Sequence, residues 1–147
     1  ASSKKWGWDE KEIIKNNGFI ENISKSEVSF MKQLSNSSLC VCTHNGTVPL
    51  ECLALNFPTI IFWNSEHYEL REDAKKYLKK LREVKIFFDS PIDAANHIND
   101  IKNNISYWWN QYDVQEARSS FIEKYALSKK DSIIIMKDFL NNEASII

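Results

Sequence analysis

Residues 38–63 read SLCVCTHNGTVPLECLALNFPTIIFW, and this stretch decides the fold. The apolar runs at 38–43 and 59–63 have the length and continuous hydrophobicity of buried β-strands. Between them, Thr47 to Leu55 predicts a short, mostly apolar helix that begins directly after a turn at His44–Gly46. A strand, a helix and a second strand in this order indicate parallel strands joined by a right-handed crossover.

The rest of the chain continues this alternation toward the C-terminus. A polar amphipathic stretch at 67–82 predicts a long helix, Ile86–Phe88 a third strand, and Ser90-Pro91 the start of another helix. Further helices are predicted at 9–16, 26–34, 105–110, 114–126 and 131–142. We therefore predict an α/β fold over residues 1–147 as a single domain, with a three-layer, Rossmann-like parallel sheet and a helical C-terminal extension at 104–147.

Composition excludes several classes of protein. The 147 residues carry a formal net charge of -1, which gives no reason to expect a nucleic-acid partner. The three glycines are scattered, so a dinucleotide-binding fingerprint and a Walker A loop are both excluded, and no cofactor is predicted. No D-x-D pair is present, and no apolar run approaches the roughly 20 residues of a membrane helix. Three cysteines without a disulfide framework favour a reducing, cytoplasmic compartment.

The turn at His44–Gly46 is the main candidate site, because ligands of such sheets bind beyond the carboxyl ends of the strands. The helix that follows directs free N–H groups and a partial positive charge into this crevice, which suits a phosphate or a diphosphate. Thr47 can cap the helix or donate its hydroxyl to a phosphate oxygen. His44 and Asn45 add further donors, and Gly46 allows a close approach of the backbone.

Glu51 is a second indication of a ligand site at the start of this helix. It lies one turn into an otherwise apolar helix, where we expect a partly buried carboxylate that needs partners. The two vicinal hydroxyls of a ribose would satisfy its oxygens, at a spacing that suits the nucleotide whose phosphates meet the turn. His67 and Arg71 lie on the rim of the same crevice. We predict His44 as the catalytic residue, and the substrate-binding residues are Asn45, Gly46, Thr47, Val48, Glu51, His67 and Arg71.

The cysteines raise a competing interpretation. Cys40, Cys42 and His44 alternate along a predicted strand, so that all three face one side, and Cys52 is near them in the chain. A zinc site uses such residues, but the usual C-x2-C spacing is missing and small buried cysteines are common in strands. We therefore predict that no metal is bound.

The ordered motif H-N-G-T-x-x-x-E-x-L-A-x-N-x-P-T-I-I-F-W, starting at His44, resembles the donor-site segment in the C-terminal half of GT-B glycosyltransferases. Asn56 replaces the family's usual glycine before the proline and tolerates the same left-handed backbone. Over roughly residues 36–140, the chain resembles a bacterial surface-carbohydrate-biosynthesis transferase family. The further matching residues are Arg71, Ala74, Tyr77 and Leu81, A-A-x-H-I-N at 94–99, the tryptophan pair at 108–109, and V-Q-x-A-R-x-x-F at 114–121.

By this resemblance, Gly46 and Thr47 meet the phosphates of a nucleotide-sugar donor and Glu51 meets its ribose. The resemblance implies a metal-independent GT-B glycosyltransferase of bacterial surface-polysaccharide synthesis. It also implies that this chain is part of a longer two-domain protein, whose missing N-terminal domain brings the acceptor, and peripheral association with a membrane fits such an enzyme. Two alternatives stay open: a nucleotide-sugar 2-epimerase-like domain, and a non-catalytic α/β module that docks a partner through an aromatic edge at Tyr107–Tyr112.

Overall fold

The computed structural model describes residues 16, 28–64, 66, 68 and 70–126. The fold separates into two compact units, Ala1–Ser37 and Ser38–Ile147. The helix predicted at 131–142 lies outside the described residues, as does all of the helix predicted at 9–16 except Asn16, which is helical.

The first unit contains the described helix α1, over Phe30–Ser35. Its N-cap is Ser29, whose hydroxyl accepts a hydrogen bond from the backbone N–H of Lys32 at 3.4 Å. The prediction of a helix from residue 26 is therefore wrong at its start, because the Ser29 side chain satisfies a first-turn donor and fixes where the helix begins. Leu34 is the buried residue of this helix.

The second unit is built on a three-stranded parallel sheet. Strands β1 (Cys40–Cys42), β2 (Thr59–Phe62) and β3 (Phe87–Phe88) lie side by side in chain order. Ile61 of β2 is opposite Cys42 on one side and Phe87 on the other. The mixed α/β class and the parallel pairing are confirmed, although each strand is shorter than the apolar run that predicts it.

Five described helices accompany this sheet. Two of them connect the strands, α2 over Thr47–Ala54 and α3 over Glu72–Glu83, and three follow β3: α4 over Pro91–Ile101, α5 over Ile105–Trp109 and α6 over Tyr112–Tyr125. Helix α4 packs against β2 and β3, whereas α6 packs against α2 and α3. Within the described part of the chain, no helix is long and apolar enough to span a bilayer.

The starts of α3 and α4 follow from their capping residues. Arg71 is the N-cap of α3 with an extended backbone, so the helix predicted from residue 67 begins only at Glu72. The acidic Glu72 and Asp73 occupy its first turn, where the positive end of the helix dipole favours them. In α4 the prediction is confirmed, since the Ser90 hydroxyl accepts hydrogen bonds from two first-turn N–H groups and Pro91 is the first helical residue.

The core is centred on β2. Ile60 is fully buried and Ile61 is 2% exposed. Because neighbouring residues of a strand point to opposite faces, both faces of β2 are covered by protein. In β1, by contrast, Cys42 is 5% exposed and Val41 is 42% exposed. Only one face of β1 is therefore well covered within the described residues.

The C-terminal end of α2 is closed by a left-handed residue. Asn56 has a φ of 55°. Its N–H donates to the carbonyl of Leu53 at 3.1 Å, and the N–H of Phe57 donates to the carbonyl of Cys52 at 2.9 Å. These two bonds form the Schellman arrangement, which satisfies carbonyls that the helix itself leaves without donors. The backbone expected of Asn56 from the sequence is confirmed.

Two side chains from the C-terminal helices hold this same end of α2. Trp109 Nε1 donates to the carbonyl oxygen of Asn56 at 3.1 Å and to its Oδ1 at 3.0 Å. Arg118 Nη1 donates to the carbonyl oxygen of Leu53 at 2.7 Å. Burial lowers the pKa of Arg118, but a guanidinium keeps its charge in proteins, so a cation lies at the negative end of α2.

Replacing Asn56 with glycine and with alanine separates the backbone contribution from that of the side chain. Glycine accepts the left-handed backbone but loses the Oδ1 acceptor of Trp109, so we expect Asn56→Gly to lower the free energy of unfolding by about 1 kcal/mol. Alanine also has to adopt the left-handed conformation, at a further cost of about 1 kcal/mol. Urea denaturation measures both, and equal stability of the two variants would contradict this account.

Candidate functional site

The candidate site begins where β1 ends. Residues 43–46 form the turn after Cys42, and α2 starts at Thr47 with Gly46 as its N-cap. Gly46 has φ -123° and ψ -165°, an extended backbone that any residue adopts. A left-handed conformation is therefore not the reason for a glycine at this position.

The space around Gly46 supplies the reason. A Cβ built on Gly46 would lie 2.7 Å from Nε2 and 2.9 Å from Cδ2 of His44, closer than real atoms approach. The imidazole of His44 thus lies over the Cα of Gly46, at the start of α2. The ligand roles predicted for His44 and Gly46 stay predictions, and the structure adds that the two residues are in close contact at the helix N-terminus.

The first turn of α2 has unused hydrogen-bonding capacity. The N–H groups of Thr47 and Val48 have no acceptor within the helix, and Pro49 has no N–H. The N-cap is a glycine without a side-chain hydrogen bond, and no acidic residue lies in the first turn. Thr47 is therefore not the N-cap, which was one of the two roles that the sequence allowed it. It is the first residue of the helix, and its side chain is exposed. Such an end is suited to an anion.

Glu51 does not have the environment that the sequence predicts. It is exposed, and the buried residues of α2 are Pro49, Cys52 and Leu53. Because these three share one side of a helix with 3.6 residues per turn, Glu51 projects from another side, where water satisfies its oxygens. The expectation of a partly buried carboxylate in need of partners is wrong.

The exposed side of α2 nevertheless brings Glu51 into line with Thr47. The two residues are four positions apart, so their side chains are neighbours on the helix surface, about one turn from each other. Both are exposed, as is Asn45 in the turn, whereas Val48 is half-buried. An anion at the start of α2 and a group attached to it can therefore contact Thr47 and Glu51 together.

Of the two residues predicted on the rim of the crevice, the structure describes one, Arg71. His67 lies outside the described residues. Arg71 has an 88% exposed side chain, and its Nε pairs with Oδ1 of Asp73 at 3.2 Å. Among the described residues, no hydrogen bond or ion pair joins Arg71 to the turn at 43–46. The structure thus places His44, Gly46, Thr47 and Glu51 at the start and along the exposed side of α2, and pairs Arg71 with Asp73 instead of with any of them.

A groove of about 720 Å³ along α3 is a feature that the sequence analysis missed. It is lined by Glu66, Tyr68, Leu70, Glu72, Lys75, Leu78, Lys79 and Arg82. Three of these are basic and recur at helical spacing, which is the signal that could have revealed the groove. Each cation has an acidic neighbour: Lys75 pairs with Glu72, Lys79 with Glu83 and Arg82 with Asp89. The positive charges along the groove are therefore paired with carboxylates, so the groove does not have the unpaired cations that favour an anion.

The aromatic cluster expected at 107–112 divides into two parts. Trp108 and Trp109 are 6% and 3% exposed and belong to the core. Tyr107 and Tyr112 are 71% and 84% exposed. His97 is buried against Trp108, with 5.1 Å between the ring centroids, and burial lowers the pKa of His97.

The cysteines come together as their alternation predicts. The sulfur atoms of Cys40 and Cys42 are 3.7 Å apart, and Cys52 lies on α2, which packs against β1. Within the described ranges, no group of three or more His, Cys, Asp or Glu residues has the arrangement to hold a metal ion.

The model of a family described as LIC12162 family transferase matches residues 3–140, which is nearly the whole chain. No curated protein and no solved structure matches the chain.

Enlarging Gly46 tests the position of the His44 ring. In Gly46→Ala the new Cβ and the imidazole cannot both keep their places, so the ring has to turn away. Alanine accepts the backbone but caps a helix less well than glycine, so we expect a stability loss of about 1 kcal/mol or less. The NMR signals of the His44 ring should move far more than in the control Asn45→Ala. A ring signal that is the same in Gly46→Ala and wild type would contradict the contact.

Proposed function

This chain belongs to the LIC12162 family of transferases, and from that premise we propose that it binds the nucleotide-sugar donor of a glycosyltransferase. The group transferred is then a sugar, and the leaving group is the nucleotide phosphate. The proposal includes a GT-B-type donor domain, with the described sheet as the centre of a three-layer, Rossmann-like fold.

One observation carries this proposal: the open N-terminal end of α2 with the imidazole of His44 lying over Gly46. Four features act on the small volume at the start of α2. They are the two free N–H groups, the dipole of the helix, the Thr47 hydroxyl and the imidazole. Each of them is a donor or a positive partial charge, and no acidic residue of the first turn opposes them. A phosphate or diphosphate is the ligand whose charge and acceptor oxygens fit this set.

Glu51 extends the proposed site from phosphate to ribose. It shares the exposed side of α2 with Thr47, about one helical turn away, and a nucleotide places its ribose at a comparable distance from its phosphates. Because Glu51 is exposed, its carboxylate exchanges water for ribose hydroxyls, and the net gain is that of ordinary hydrogen bonds to a charged group. We expect Glu51 to select ribonucleotides rather than to supply most of the affinity.

The proposed mechanism assigns the charge that develops during transfer to the start of α2. As the bond between the sugar's anomeric carbon and the phosphate oxygen breaks, negative charge grows on the leaving phosphate. The N–H groups of Thr47 and Val48 and the Thr47 hydroxyl stabilise it, and His44 is the catalytic residue that donates a hydrogen bond to it. The acceptor's hydroxyl oxygen bonds the anomeric carbon while its proton passes to a general base, and we assign both the acceptor and this base to a second, N-terminal domain.

The biological setting is part of the proposal. The resemblance to surface-carbohydrate transferases suggests a bacterial surface polysaccharide as the product and a cytoplasmic site of synthesis, with the donor drawn from the nucleotide-sugar pool. This part rests on the matching motifs alone, whereas the donor site also has the geometry of α2 in its support.

Nucleotide binding tests the donor site directly. Calorimetric titration of the chain with UDP, GDP, CDP and CMP should give one nucleotide that binds and raises the melting temperature. Thr47→Val removes the hydroxyl at constant shape, and we expect it to weaken that nucleotide about 10-fold. If none of the four binds to the wild type, the donor-site proposal fails, and a non-catalytic docking module becomes the better interpretation.

The ribose assignment has its own test. Glu51→Gln should weaken the ribonucleotide about 10-fold while leaving its 2′-deoxy analogue nearly unchanged, because only the former offers both hydroxyls. Glu123→Gln, a change to an exposed acid of α6, is the matched control. Equal losses for ribo and deoxy forms would contradict the assignment. With a nucleotide-sugar as ligand, formation of an isomer without any acceptor would indicate an epimerase instead of a transferase.

A further inference from the structure

The three cysteines form a cluster to which the proposed donor site gives no role. Cys40 and Cys42 lie on the same face of β1, and Cys52 lies on α2, which packs against that strand. The sulfur atoms of Cys40 and Cys42 are 3.7 Å apart, which is a hydrogen-bonding contact between thiols. All three are free in the structure.

Exposure distinguishes the three thiols. Cys42 is 5% exposed and Cys52 is fully buried, whereas Cys40 is half-buried at the start of the strand. A small reagent therefore has access to Cys40 before it has access to the other two. The sulfur atom of Cys42 is in contact with the sulfur atom of Cys40.

The pKa values also distinguish Cys40 from the other two thiols. A hydrogen bond from the Cys42 thiol lowers the pKa of Cys40 to about 6. The same bond, together with burial, raises the pKa of Cys42. Burial raises the pKa of Cys52 to about 12. One sulfur of the cluster is thus a thiolate near neutral pH, and a protonated thiol is in contact with it.

The geometry of the strand permits a bridge between the two. At about 3.3 Å per residue, the Cα atoms of alternate strand residues are about 6.6 Å apart. Disulfides span Cα separations up to about 6.8 Å. The two sulfur atoms can therefore bond after a local adjustment of β1. A bridge from Cys40 to Cys52 would instead link a strand to a helix.

We propose that Cys40 is a site of oxidation by hydroperoxides and that Cys42 resolves it as a reversible Cys40–Cys42 disulfide. In the first step, the Cys40 sulfur attacks one oxygen of hydrogen peroxide. The O–O bond breaks, a sulfenic acid forms and one water leaves. In the second step, the Cys42 sulfur attacks the Cys40 sulfur, the S–O bond breaks and a second water leaves. Two thiols lose two electrons, and one peroxide gains them.

The test is thiol chemistry on the full chain. Hydrogen peroxide should remove two of the free thiols of the wild type and lower its intact mass by two hydrogen atoms, and dithiothreitol should restore both. Before oxidation, native Cys40 should be alkylated by iodoacetamide at least about 10-fold faster than Cys52. Alkylation of Cys40 no faster than of Cys52 would overturn the proposal.

Three variants assign the roles. Cys52→Ser, the matched control, should still lose two thiols and the mass of two hydrogen atoms. Cys42→Ser should stop at a sulfenic acid on Cys40 that dimedone captures, and Cys40→Ser should consume peroxide at least about 10-fold more slowly. Circular dichroism before oxidation identifies any variant that fails to fold, and the wild-type alkylation rates remain as a test in that case. A two-thiol loss in Cys42→Ser but not in Cys52→Ser would make Cys52 the partner and overturn the assignment.

Discussion

The hydrogen bonds that close the C-terminal end of α2 are the constraint on which the candidate site depends. A helix of eight residues is too short to be stable by itself, so packing and end contacts must hold it. From the helices that follow the sheet, Arg118 binds the carbonyl of Leu53 and Trp109 binds the carbonyl of Asn56 just beyond the helix, where the left-handed Asn56 reverses the chain. With one end held in this way, the other end is fixed at the turn after β1, and its N–H groups are held in place before any ligand arrives.

This arrangement connects distant parts of the chain to one small site. Leu53 and Arg118 are 65 positions apart in sequence, and their contact links α2 to the C-terminal helices. At the start of α2, His44 lies so close over Gly46 that no larger residue fits without moving the ring. The contacts at the C-terminal end of α2 thus fix the direction of the helix. The close packing at its N-terminal end brings an imidazole to the positive end of the helix dipole.

Local signals predicted local features well. The Ser90 cap with Pro91, the left-handed Asn56 and the start of α2 are each governed by a few neighbouring residues, and the structure agrees with all of them. The start of α3 was predicted too early, because a helical pattern of apolar residues continues upstream of the residues that cap the helix. The groove along α3 is not evident from the sequence, because it forms only where the segment after β2 packs beside the polar side of the helix.

Glu51 and the cysteines show which features follow from the sequence and which depend on the tertiary structure. Three features follow from the sequence alone: the parallel α/β order, the helix that starts after Gly46, and the alternation that puts Cys40 and Cys42 on one face. They depend on the spacing of apolar residues along the chain and on near neighbours. Only the tertiary structure decided that Glu51 faces water, that the His44 ring lies over Gly46 and that Arg118 holds the far end of α2. Which side of a short helix is buried depends on the elements packed against it, and residues far away in the chain supply those elements.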